Sequence, residues 1–257
     1  MKKRIALLLI LCLVAFGATA LAESAAPTLY ADNLHTTYTA ADGTQIADVT
    51  AAIPQLVGAY DDEKITRLNA LIAGQVMSDL AVFGDPYQYA SGDYRSMLAD
   101  GDNTWPDGGY TFWVNYEVAK SSAALLGLNF TVSAYYGGAH PGSQLMPLMI
   151  DLSTGSPVAI DLLVADKAAF HDFLVKSVLD QIAAQLKPAD TEYMYFDDYQ
   201  DTVKNLDMLN SYLTDEGLNV FFNEYDIAPY ASGMPTFLIP NDALKPYLND
   251  YGKSLIG

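Results

Sequence analysis

Polar and apolar positions alternate one by one through Leu34, Thr36 and Tyr38, the pattern of a strand with one buried face. Asp42-Gly43 reads as a tight turn, and Gln45 to Ile53 returns as a second strand closed by Pro54, so the first unit predicted is a hairpin. From Asp61 the period lengthens. Ile65, Leu68, Ile72, Val76, Leu80 and Phe83 recur every three or four residues behind Asp61 and Asp62, either of which can cap a helix N-terminus; an amphipathic helix follows. Residues 84 to 109, rich in Gly, Asp, Pro and Tyr, read as a loop or irregular excursion. Tyr110 to Ala119 and Leu125 to Tyr136 carry aromatic and β-branched residues in alternation and are expected to be antiparallel neighbours.

Past the turn Gly137-Gly138-Ala139-His140-Pro141-Gly142, Gln144 to Leu152 makes another strand, and Ser153-Thr154-Gly155 turns into a short run around Val158 and Ile160. Asp166 opens a second helix with Phe170, Leu174, Val178, Ile182 and Leu186 on one face and Pro188 just past its end. Residues 190 to 203 are acidic and Tyr-rich, a surface excursion. Leu218 to Tyr225 and Thr236 to Ile239 form a last hairpin-like unit around a loop from Asp226 to Gly233, and Asn241 starts a short terminal helix. Strand groups separated by whole helices predict an α+β fold: antiparallel sheets with two main helices packed on them, one helix for each half. Residues 23–257 are expected to form one domain, its N-terminal half over about 30–190 and its C-terminal part over about 205–250.

The chain opens with Met1-Lys2-Lys3-Arg4, an uncharged run from Ile5 to Ala22, and Ala20-Leu21-Ala22 before Glu23: a secretory signal peptide with the cut expected after Ala22. An uncleaved anchor is the rival reading. Cleavage removes three basic residues and the single cysteine, Cys12, leaving 10 basic against 31 acidic residues, a net charge of −21 and no disulfide. Such a charge repels phosphate backbones and anionic lipid, which argues against nucleic-acid partners and against membrane binding after cleavage. Three histidines and one cysteine leave little for a metal site, so neither metal nor cofactor is expected.

Ser133-Ala134-Tyr135-Tyr136-Gly137-Gly138-Ala139-His140 with Ile150-Asp151-Leu152-Ser153-Thr154-Gly155, followed by Tyr212 to Leu218 and Phe221 to Gly233, resembles a family of exported bacterial domains. It is the domain of unknown function that forms the extracellular part of RsiV-type anti-sigma factors and also precedes some peptidoglycan deacetylase domains. The resemblance covers residues 30 to 250. It implies an RsiV-ectodomain-like α+β fold and a lysozyme-binding role. Four residues before the apolar run leave no room for a sigma-binding domain, so an anti-sigma role is not expected. Phe196-Asp197-Asp198 is similar to the Asp-Asp motif of the deacetylases, but their His-x-x-x-His metal ligands are absent.

Candidate chemistry is sparse. His140 ends a turn in which Gly137 and Gly138 permit positive φ, and either fixes that turn by hydrogen bonding or serves as a ligand or general base. Tyr225, Ile227, Pro229 and Tyr230 fall within nine residues, an aromatic loop suited to anchoring a protein or a sugar ring, or to capping the core. Tyr225, Pro229, Tyr230, Gly137, Gly138 and His140 are therefore the candidate ligand-binding residues. The acidic runs Asp61-Asp62-Glu63, Asp100 to Asp107 and Asp197 to Asp201 raise calcium, but an EF-hand read from Asp100 would place Trp105 and Thr111 where Gly and Glu belong. Hydrolase signatures (Gly-x-Ser-x-Gly, Ser-x-x-Lys, His-Glu-x-x-His) are missing. The expected function is an extracytoplasmic binding domain for a muramidase or another cell-wall protein, a basic ligand such as lysozyme suiting the charge. The alternative is a peptidoglycan-acting enzyme or glycan-binding accessory domain.

Overall fold

The computed structural model describes residues 26–58, 60–102, 104–187 and 194–256; the expected signal peptide with its cut after Ala22, and Pro188, lie outside them. β1 (Thr28–Thr39) and β2 (Gln45–Val57) form the expected hairpin, with Gly43 at φ +91° and the Asp42 carboxylate accepting the Thr44 N–H at 2.9 Å. Pro54 does not end β2: it pairs with Ala31, and the strand runs on to Val57. β2 meets its other neighbour only from Ala47 to Ala51, so Pro54 lies where the strand has one partner, a place that tolerates a residue without an N–H.

α1 (Asp62–Asp79) begins where the period changes, and Asp61 accepts the Lys64 N–H at 2.8 Å as its cap. The stretch read as an irregular excursion contains a second helix, α2 (Pro86–Ala99), capped by Asp85 with Pro86 in its first turn. Only Ala90 and Tyr94 are buried along α2, so its amphipathic signal is faint. β3 (Tyr110–Ser121), β4 (Leu125–Tyr135) and β5 (Gly142–Asp151) are antiparallel neighbours, with the two-residue β6 (Ser156–Pro157) on the edge. The run around Val158 and Ile160 is a 3₁₀ turn, Ile160–Leu162. The six strands lie in sequence order, but β2 and β3 run parallel, a correction to the all-antiparallel expectation. A parallel neighbour needs a long crossover, and α1 with α2 supplies it.

α3 (Lys167–Gln185) starts at the Asp166 cap as expected. The acidic Tyr-rich stretch holds a short helix, α4 (Tyr199–Lys204), which buries Val203; Tyr195 and Tyr199 pack on the core, so it is not merely a surface excursion. A second antiparallel sheet follows, of β7 (Ser211–Leu213), β8 (Gly217–Phe221) and β9 (Thr236–Pro240), then α5 (Asn241–Leu244) and α6 (Asp250–Ile256). Among the described residues no helix is long and apolar enough to cross a membrane.

Burial divides into two clusters that share the central strands. Leu68, Ile72 and Val76 of α1 pack with Phe112, Leu126, Leu128, Phe130 and Ile150, whereas Phe170, Leu174, Val178 and Ile182 of α3 pack with Leu125, Met149, Val220 and Phe237. Adjacent residues Leu125 and Leu126 point into different clusters, as the two-residue period of a strand covered on both faces requires. Asp151 is buried at the end of β5, where it accepts the Ser153 N–H and hydroxyl at 2.7 and 2.6 Å and the Tyr251 hydroxyl of α6 at 2.7 Å.

One buried carboxyl is poorly served. Asp79, the last residue of α1, is 2% exposed; Gln75 donates to its Oδ1 at 2.6 Å, but Oδ2 has no partner. Burial, against that single bond, pushes its pKa up to about 6. The folded state thus holds this proton more tightly than the unfolded chain, and stability is lost as pH rises from the ordinary carboxylate range through about 6. Asp79→Asn is expected to stabilise the protein by about 1–2 kcal/mol in urea melts at mildly alkaline pH. The gain should fade in acid; an equal effect at both pH values would contradict the assignment.

Candidate functional site

The loop from Asn223 to Gly233 is held from within. Ile227 and Ala228 are buried, and the Ile227 carbonyl accepts the Phe196 N–H at 2.9 Å. Asn223 and Asp226 close a turn on each other: Asp226 donates its N–H to the Asn223 carbonyl at 3.1 Å and its carboxylate accepts the Asn223 N–H at 2.7 Å. Burial raises the Asp226 pKa against that backbone bond. This turn drives Tyr225 to φ +68°, and among the described residues it is the one non-glycine at positive φ. An L-residue with a bulky ring adopts that conformation at a cost of about 1 kcal/mol, sustained when the surroundings dictate it. Tyr225 is 52% exposed, so the strained backbone presents its ring to solvent.

The same turn reaches the six-stranded sheet. Glu224 accepts the Ser143 N–H at 3.0 Å and Asn223 accepts the Leu145 N–H at 2.8 Å, both on the outer edge of β5. Alternation puts Pro147, which has no N–H, on that edge next. An open strand edge is a pairing hazard, and two side-chain caps followed by a proline blunt it.

By this edge contact the two loops singled out in the sequence meet. His140 stacks on Tyr230 with ring centroids 3.7 Å apart and planes at 15°, and on Tyr225 at 6.2 Å and 30°. Its Nδ1 lies 2.8 Å from the Pro141 carbonyl and its Nε2 3.0 Å from the Tyr225 hydroxyl. A carbonyl only accepts, so Nδ1 carries the hydrogen toward Pro141, and in that tautomer Nε2 accepts from the Tyr225 hydroxyl. His140 is thus tied to its own turn and stacked on two tyrosines, Tyr225 exposed and Tyr230 half-buried. Gly138 accepts the Tyr135 hydroxyl at 2.9 Å, and Gly137, at φ +82°, lies against Pro106. Pro229 precedes the 3₁₀ turn Tyr230–Ser232, which sets the Tyr230 ring. Ile227 is core and leaves the candidate surface. Asn223 and Glu224, which join the loops, were missed as site residues; the run Asn223-Glu224-Tyr225-Asp226, polar throughout beside a buried pair, was the available signal.

The acidic runs resolve into local partners. Asp61 caps α1, Glu63 pairs with Arg67, Asp102 accepts from Thr104 and Asp201 pairs with Lys204. Among the described residues no group of three His, Cys, Asp or Glu side chains is arranged to hold a metal ion. The stack offers flat aromatic faces and a hydroxyl.

Two family models match the chain. Residues 161–242 match a protein family of unknown function, DUF3298, and residues 41–143 match the family described as deacetylase PdaC. No curated protein matches. Several solved chains share the fold, among them two DUF3298-family structures. A DUF3298-family protein of Bacteroides fragilis NCTC 9343 is 20% identical with a TM-score of 0.64, covering 89% of this chain and 96% of its own. A DUF3298-family protein of Pseudomonas aeruginosa PAO1 is 14% identical with a TM-score of 0.61, covering 87% of this chain and 95% of its own. The α+β architecture is therefore that of the DUF3298 structures. The likeness of the N-terminal stretch is to deacetylase PdaC.

Proposed function

We propose that this chain is an exported recognition domain of the bacterial cell envelope that binds a basic muramidase of the lysozyme type through the His140, Tyr225 and Tyr230 shelf. Gly137, Gly138 and Pro229 shape its rim. The observation that carries the reading is the convergence of two loops, 85 residues apart between His140 and Tyr225, on one exposed aromatic stack built over a strained backbone. Strain retained at an exposed ring is characteristic of a ligand-contacting position. The deacetylase-named match over residues 41–143 supports a cell-wall setting, and the RsiV-like motifs support a protein ligand. The acidic balance supports a basic one, because long-range attraction raises the encounter rate. Export rests on the N-terminal Lys2-Lys3-Arg4 and the apolar run that follows.

Calorimetric titration with a basic lysozyme, and separately with solubilised peptidoglycan, tests the reading. One-to-one lysozyme binding that weakens as salt rises is the expected result. Turnover of glycan with no lysozyme binding would replace it with an enzymatic role.

A further inference from the structure

Beneath the Gly137 end of the same loop lies a separate cleft of about 340 Å³, near the lower end of the range of roughly 300–1,000 Å³ for small-ligand sites. Its walls come from α2 (Asp93), the connection into β3 (Asp102, Trp105), the start of β3 (Tyr110) and the residue just past β4 (Tyr136). The rings are mutually braced: Trp105 and Tyr110 have centroids 4.6 Å apart, and Tyr136 meets Tyr110 edge-on at 5.1 Å.

The hydrogen-bonding state of this lining is one-sided. Trp105 Nε1–H is spent on the Gln45 carbonyl at 3.1 Å, the Tyr110 hydroxyl on Asp93 Oδ2 at 3.1 Å, and the Tyr136 hydroxyl on the Phe83 carbonyl at 3.2 Å. The Thr104 hydroxyl goes to Asp102 at 2.9 Å. Among the described residues, each polar side-chain donor in the wall is thus already engaged inside the protein, whereas Asp93 Oδ1 takes no partner. No lysine or arginine lines the cleft among those residues. Tyr110 and Tyr136 have pKa values raised to about 12, first by burial, so both stay neutral. The described side chains therefore suit a ligand that brings donors and positive charge and offers an apolar face to the rings.

We propose that this cleft binds an amino sugar carrying a free, protonated amine, the ammonium on Asp93 and the pyranose face against Trp105 and Tyr110. The corresponding N-acetylated sugar replaces the cation with an acetamide, which loses the ion pair with Asp93 and whose carbonyl finds no free side-chain donor among the described residues. This site goes beyond the shelf at His140 and does not depend on lysozyme binding there.

The test is titration of the protein, by calorimetry or by chemical shift of the Trp105 indole, with a glucosamine trimer and with its fully N-acetylated counterpart. The free-amine trimer should bind, the acetylated trimer at least tenfold more weakly, and affinity should fall as rising pH deprotonates the sugar amine. Asp93→Asn, an exposed isosteric change that leaves an acceptor for Tyr110, should cost at least tenfold without altering lysozyme affinity. Failure of the glucosamine trimer to bind, equal binding of the acetylated trimer, or an unaffected Asp93→Asn would overturn the proposal. So would argininamide binding as tightly as the trimer, which would make the cleft a receptor for basic protein side chains.

Discussion

Asp151→Ala is expected to lower the unfolding free energy by about 3–4 kcal/mol. The carboxylate is buried and accepts the Ser153 N–H, the Ser153 hydroxyl, the Thr154 N–H and the Tyr251 hydroxyl. Alanine leaves these donors without their acceptor. It also unfastens α6 from the end of β5, two elements 100 residues apart. Burial alone would raise the pKa of Asp151, but the bonds from Ser153, Tyr251 and Thr154 outweigh it and hold the carboxyl below its ordinary value. Tyr251 shows the counterpart, pushed up to about 12 by burial and by the neighbouring Asp151 charge. A depressed folded-state pKa contributes stability above the ordinary carboxylate range, and that contribution is lost as pH falls through the depressed value. The cost of Asp151→Ala should therefore shrink in acid, at a lower pH than the one near 6 through which the gain from Asp79→Asn fades. Urea melts at neutral and acid pH measure both; a neutral-pH cost under about 1 kcal/mol would contradict the clamp.

Tyr230→Ala carries the second large effect, on binding. Its ring lies 3.7 Å from His140 and half-buried, so truncation removes both a contact face and the support that aligns His140 with Tyr225. Lysozyme affinity should drop by about 2 kcal/mol or more, roughly thirtyfold, chiefly through faster dissociation, because a central aromatic anchor acts after encounter. Tyr230→Phe keeps the stack and should bind nearly as the parent does. Circular dichroism and melting of each variant separate lost recognition from lost folding. A folded Tyr230→Ala with unchanged dissociation would remove the shelf from the account.

What the sequence disclosed is local. α1 and α3 were legible because a repeated apolar face and the caps Asp61 and Asp166 act over a few residues, and the β1–β2 turn because Asp42-Gly43 has a strong preference of its own. α2 was not, since Ala90 and Tyr94 bury too little to mark a periodic face, although Asp85-Pro86 announced its start. The parallel β2–β3 pair was equally hidden, because pairing direction depends on the crossover between strands and not on either strand. The same distinction governs the sites. His140 and the Tyr225–Tyr230 segment were each recognisable as loop features, but their meeting depends on Asn223 and Glu224 gripping β5 across about 80 residues of chain. The amino-sugar cleft assembles Asp93, Trp105, Tyr110 and Tyr136 from four elements, and its decisive property, donors already spent, exists only once the fold is formed.

The central claim is that the joined loops are where a basic muramidase sits, and hydrogen exchange of the protein with and without saturating lysozyme locates that contact directly. The account predicts slowed exchange confined to residues 137–142 and 223–233, with α1 and α3 unchanged. Absence of a complex, or protection concentrated elsewhere with both loops exchanging as in the free protein, would contradict it.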